Sequence, residues 1–115
     1  MAVFAHIKQM RPISPKFRKI IDEDPYYRTC ANPDPNHSGR MTIEHAHLYA
    51  GRQIDELWNF VPLCWHHHLG EGLNKKLNQL IALNRATPED LKSYPNRDWL
   101  KERRRLEYDL KVINR

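Results

Sequence analysis

Between Cys64 and His68 the chain reads Cys-Trp-His-His-His, so five consecutive residues hold one of its two cysteines and three of its seven histidines. Thiol and imidazole crowded together read first as metal ligands. A metal constrains a fold tightly, because its ligands must converge on one point. The other cysteine, Cys30, opens the stretch CANPDPNH. Its two prolines, two asparagines and aspartate make residues 30–37 a loop. Two cysteines in an intracellular chain rarely form a disulfide, so the second reading of Cys30 and Cys64 is a pair of small buried thiols.

Two strand-like segments frame the metal-type run. Residues 40–45 (RMTIEH) alternate, with Met41 and Ile43 on one face and Thr42 and Glu44 on the other. Residues 57–63 (LWNFVPL) are aromatic and partly β-branched, and Pro62 suits an edge or a strand end. A polar loop with Gly51 joins them. Before the first strand, Ser14 caps a short helix with Pro15 at its first position, which should stop before Pro25. After Cys64 a helix begins, and Gly70 and Gly72 suggest a bend. Leu73, Leu77, Leu80 and Ile81 then recur at helical spacing. Thr87 and Pro88 start another short helix. Asn96 is the expected cap of a last one, whose apolar stripe is Trp99, Leu100, Leu106, Leu110 and Ile113.

Chemistry concentrates between Glu44 and His68. Glu44 and His45 adjoin at the end of the first strand. Thirteen residues separate His45 from Asn59, and eight separate Asn59 from His68. Hydrolysis of a phosphodiester needs a base that works near neutral pH, for which histidine is suited. It also needs positive charge where negative charge grows. Hard cations favour a carboxylate, and imidazole can join it. Neighbours on a strand face opposite ways, so Glu44 and His45 reach one phosphate only if the strand end twists. Asn59 can fix a loop or orient the imidazole without titrating.

In order and spacing, this stretch resembles the HNH endonucleases. The shared features are EH, then Asn, then PLCWHHH, in which Cys64 is followed, after two intervening residues, by His67 and His68. The resemblance covers residues 30–68, about a third of the chain, and phage-type members look similar there. It implies an α+β fold with a ββα-metal hairpin–helix core and flanking helices. It implies His45 as general base, Asn59 as orienting residue, and Glu44 and His68 as ligands of one Mg or Mn ion. Hydrolysis would leave 5′-phosphate and 3′-hydroxyl ends. Many members also carry a structural zinc on two Cys-x-x-Cys pairs. Here Cys64 and His67 match one pair, but position 33 is Pro33, leaving Cys30 and His37 as the other half. Some relatives have another histidine four residues after the last. This chain has Gly72 there, which leaves the cation two protein ligands.

At 115 residues the expectation is one domain: a core over 26–84, a basic arm and helix over 1–25, and C-terminal helices over 87–115. The formal charge is +5, in keeping with a polyanion such as DNA as partner. Lys16 and Arg18 near the N-terminus, Arg52 in the inter-strand loop, and Arg103 and Arg104 in the last helix are the expected phosphate contacts. Solvated basic faces are the plain alternative. No long apolar run or signal peptide is seen, so the expected location is cytoplasmic, without membrane. A homodimer or a phage protein partner is left open. His6 and His66 read as surface residues and His47 as a loop residue without a role. Trp58, Phe60 and Trp65 read as core. The rival functions are a zinc-stabilised nucleic-acid-binding module without catalysis, and a protein-interaction subunit whose last helix docks a partner.

Overall fold

The computed structural model describes residues 13–68 and 73–113. The expected basic arm with His6, and the bend at Gly70 and Gly72, lie outside them. Helix α1 spans Pro15–Glu23, with Ser14 accepting from the Phe17 amide. A 3-10 turn, Pro25–Arg28, follows. Strand β1 is Met41–His45. A small hairpin of β2 (Leu48–Tyr49) and β3 (Arg52–Gln53) replaces the expected polar loop. Its two turn residues, Ala50 (φ 52°) and Gly51 (φ 78°), both have positive φ. That is what a two-residue turn between twisted strands demands, and alanine holds its position at a steric cost. A second 3-10 turn, Leu57–Asn59, precedes β4, Phe60–Cys64. The expected second strand is thus a turn in its first half, because Asn59 uses its side chain to hold the preceding loop. The rest is helical: α2 (Trp65–His68), α3 (Leu73–Arg85), α4 (Pro88–Lys92) and α5 (Trp99–Ile113). The fold is α+β, with two small antiparallel sheets among helices.

β1 and β4 pair antiparallel, with Thr42 opposite Leu63, Glu44 opposite Val61 and His45 opposite Phe60. Cross-strand partners share a face. Val61 and Leu63 enter a core with Ile54, Trp58, Ala82, Leu83, Trp99 and Leu106. Phe60 enters a second cluster with Ile21 and Tyr27, covered by Phe17 and Ile43. The hairpin is therefore packed on both faces. Each buried leucine or valine contributes about 1.5–3 kcal/mol by leaving water. Thr42 and Glu44, expected on the polar face, lie on the larger core's side, and Glu44 is only 5% exposed.

Three details of the helices depart from the sequence reading. The buried face of α3 is Asn78, Ala82 and Leu83, whereas Leu77, Leu80 and Ile81 are only partly buried. Asn78 is drawn inward because it bonds to Asn32 and to the His67 carbonyl. α5 is capped by Asp98, which accepts from the Lys101 amide, while the Asn96 amide donates to the Tyr49 hydroxyl. Leu100 points out, 58% exposed, away from the face made by Trp99, Leu106 and Leu110. At α4 the expected cap is present: Thr87 and Asp90 form a reciprocal capping box.

Candidate metal centre and active site

The loop after Cys30 folds back over the start of α2 through local asparagine and aspartate turns. The Asp34 amide donates to Asn32 Oδ1 (2.9 Å), and Asp34 Oδ1 accepts from the Asn36 amide. The Ala31 amide donates to the Pro62 carbonyl, which ties the loop to the outer edge of β4. The amides of Trp65 and His66 donate to the Arg40 and Ser38 carbonyls, so the loop closes the open end of α2. Gly39 (φ 83°) is required at the crossing, since a Cβ there would lie 2.6 Å from Trp65 Cβ.

This folding brings Cys30, His37, Cys64 and His67 together, one donor atom from each lying within 4.8 Å of the others. His67 Nδ1 is 3.3 Å from Cys30 Sγ and 3.2 Å from Cys64 Sγ, and His37 Nδ1 is 3.7 Å from Cys64 Sγ. A tetrahedral ion with ordinary thiolate and imidazole bonds separates its S and N ligands by about 3.5 Å. The contacts found here bracket that value. The far side of His67 meets Asp34, with Nε2 to Oδ2 at 3.2 Å. A carboxylate accepts only, so it accepts a hydrogen bond from Nε2–H, which leaves the Nδ1 lone pair facing both sulfurs. Both cysteines are free of disulfides. Burial pushes the Cys30 thiol up. Burial also pushes at Cys64, but hydrogen bonds from the His67 backbone, the His37 ring and the Ser38 backbone outweigh it and bring that thiol down to about 6. One sulfur is thus disposed to be a thiolate at neutral pH, the form that binds metal. These four groups are positioned to hold a metal ion. Asp34, His66 and His67 form a second close group on the outer side of the same histidine.

On the opposite face of the hairpin, Glu44 Oε1 pairs with Lys75 Nζ of α3 at 2.7 Å. Its other oxygen, Oε2, is buried and has no hydrogen-bond partner among the described residues. His68 Nδ1 lies 2.6 Å from Thr42 Oγ1, which in turn lies 2.8 Å from the Leu63 carbonyl. Burial lowers the His68 pKa, while the charge on Glu44 opposes that shift and the charge on Lys75 adds to it. Glu44, His68 and Lys75 therefore share one electrostatic neighbourhood.

His45 turns the other way. Its ring packs edge-on against Phe60 (centroids 5.0 Å), and Nε2 is 3.3 Å from Asp55 Oδ1. Its side chain is 6% exposed. Asn59 is fully buried and does not bond to His45. Its Oδ1 accepts from the His47 amide (2.7 Å), and its Nδ2 donates to the carbonyls of His47 (3.1 Å) and Ile54 (2.9 Å). It closes the 46–58 loop, which follows His45 and contains Asp55. His47, read as a loop residue without a role, is a core residue instead. It is 1% exposed, bonds through Nε2 to the Gln79 carbonyl and packs edge-on against Trp99.

Of the expected phosphate contacts, Lys16 and Arg18 are exposed on α1, Arg52 on β3 and Arg104 on α5. Arg103 is engaged within the fold, donating to the Leu83 carbonyl (2.6 Å) and to Asn84 Oδ1. Trp58 and Phe60 are core as expected, while Trp65 is 42% exposed with Arg40 over its ring. Asp34, Thr42, Asp55 and Lys75 join the site without having been singled out by the sequence. For Asp34 the signal was present, inside a turn-forming run. Lys75 and Thr42 become visible only once strand register and helix phase are known. Among the described residues, no helix is long and apolar enough to cross a membrane. Comparison with protein-family models, with curated proteins and with solved structures finds no match for this chain.

Proposed function

We propose that the chain is a metal-dependent endonuclease of the HNH type, hydrolysing phosphodiester bonds of DNA from a ββα-metal core. The observation that carries the reading is a buried, half-partnered carboxylate, Glu44, on the same face of β1 as Thr42, whose hydroxyl meets the His68 ring. An orphaned carboxylate oxygen in a buried setting is costly unless a cation completes it. Glu44 and His68 are the residues that would hold a Mg or Mn ion. Such an ion, when bound, supplies positive charge at the scissile phosphate and the departing oxygen.

The chain's own groups divide the remaining work. His45 takes the proton of the attacking water, and Asp55 holds the ring. Because Nε2 faces Asp55, the proton is accepted at Nδ1. Asn59 keeps the loop between His45 and Asp55 in one conformation. Cys30, His37, Cys64 and His67 would hold a structural zinc, which when bound would tie the loop to β4 and α2 in a small domain. Lys16, Arg18, Arg52 and Arg104 neutralise backbone phosphates without reading bases.

A second reading is favoured by one observation. Glu44 and His45 face opposite sides of β1, and the His45 side chain is 6% exposed. That geometry suits a zinc-stabilised nucleic-acid-binding module that does not cleave. Nicking of supercoiled plasmid by the zinc-loaded protein with Mg²⁺ or Mn²⁺ separates the two. The nuclease reading expects nicking that EDTA abolishes and that Glu44→Gln and His45→Ala each lose with zinc content unchanged. DNA binding without nicking by the folded wild type supports the module.

A further inference from the structure

Thr42 stands between two groups that constrain its single hydroxyl proton. The Leu63 carbonyl, 2.8 Å from Oγ1, can only accept. The hydroxyl proton therefore goes to Leu63, and Oγ1 is left to offer a lone pair. His68 Nδ1 lies 2.6 Å from that same oxygen. Two lone pairs at this distance repel, so Nδ1 must carry a proton and donate it. A neutral imidazole has one such proton. His68 is then the Nδ1–H tautomer, and its Nε2 is an unprotonated donor atom.

The geometry points to Thr42 as the positioning residue that sets the tautomer of His68 and presents Nε2 as the ligand atom for a hard divalent cation shared with Glu44. This rests on the reading of Glu44 and His68 as a cation site. The surroundings agree with it. Thr42 and Glu44 share one face of β1, two residues apart, and the Glu44 oxygen without a partner is on the same side as Lys75. The Thr42 hydroxyl is itself held by the strand opposite, since Thr42 and Leu63 are cross-strand partners. The ring is thereby fixed to the hairpin, and fixing a ligand's second nitrogen is worth about 10- to 100-fold in metal affinity.

The test is a long-range ¹H–¹⁵N correlation spectrum of histidine-labelled, zinc-loaded protein, above about pH 8 where imidazoles are neutral, paired with Mn²⁺ titration. Wild type is expected to show His68 protonated at Nδ1 and unprotonated at Nε2. Thr42→Val should lose that tautomer preference and bind Mn²⁺ about 10- to 100-fold more weakly. Thr42→Ser, which restores the hydroxyl, should recover both. Helicity and zinc content report that each variant is folded. A wild-type His68 protonated at Nε2 overturns the inference, as does Thr42→Val with unchanged tautomer and Mn²⁺ affinity. A wild type with the Nδ1–H tautomer that binds no Mn²⁺ overturns the cation site and the nuclease reading, while the tautomer assignment stands.

Discussion

Replacing Asn59 with alanine should be among the most damaging single changes to the 46–58 loop. The Asn59 side chain makes three hydrogen bonds, all to backbone: one from the His47 amide and two to the carbonyls of His47 and Ile54. Asn59, His47 and Ile54 are at most 2% exposed, so water does not replace what is lost. Each bond is worth about 1 kcal/mol net, and each buried group left unpaired costs about 1–3 kcal/mol. The expected loss is about 3–5 kcal/mol, a large share of the stability of a small domain. Asn59→Asp sharpens the test. It keeps the oxygen that accepts from His47 but turns an acceptor toward two carbonyls, so it should be at least as damaging as alanine despite its matching shape. Urea unfolding of the zinc-loaded protein, followed by far-UV circular dichroism, gives both numbers. A loss below about 1 kcal/mol for alanine, or wild-type stability for aspartate, would refute the argument.

Gly39→Ala should destabilise by about 2 kcal/mol or more, combining positive φ with a clash against Trp65 Cβ, an atom fixed to its backbone. Gly51→Ala, at φ 78° but with open space around it, should cost only about 1 kcal/mol. Thermal unfolding compares the two. Lys75→Met leaves Glu44 as a buried carboxylate without its partner. The Lys75 side chain is 44% exposed, which tempers the loss to about 1–2 kcal/mol. Added Mn²⁺ should restore it by mass action in differential scanning fluorimetry. Zinc affinity should rise with pH. Cys64, at about 6, is already ionised at neutral pH, whereas Cys30 is raised and must lose its proton on binding. Chelator competition from about pH 7 upward should show close to a tenfold gain per pH unit, one proton released rather than two.

What was legible in the sequence was what neighbours along the chain decide. Proline after a serine or threonine placed the starts of α1 and α4, and alternation placed β1. The spacing from Cys64 to His67 placed two candidate metal donors where β4 runs into α2. His37 is the nearest cysteine or histidine after Pro33, and it joins the same candidate group. What was not legible depends on partners far away in sequence. Leu57 to Asn59 look like strand residues, and only the bonds from Asn59 to residues 47 and 54 bend them into a 3-10 turn. Asn78 looks like a surface residue on α3 until Asn32 and the His67 carbonyl are seen beneath it. His47 looked idle because its partners, Gln79 and Trp99, lie on two later helices. For the same reason Asp98 rather than Asn96 caps α5: both residue types suit the role, and packing of Asn96 against Tyr49 decides between them.

Uptake of Co²⁺ by metal-free protein, followed by visible absorption, tests the metal centre most directly. Two thiolates and two imidazoles at the separations found here would give a bound ion a tetrahedral S₂N₂ environment. The account predicts one equivalent of Co²⁺ with intense tetrahedral d–d bands and sulfur-to-metal charge transfer, displaced by Zn²⁺ and lost in Cys64→Ser. Weak octahedral bands, or spectra indifferent to Cys64, would contradict it.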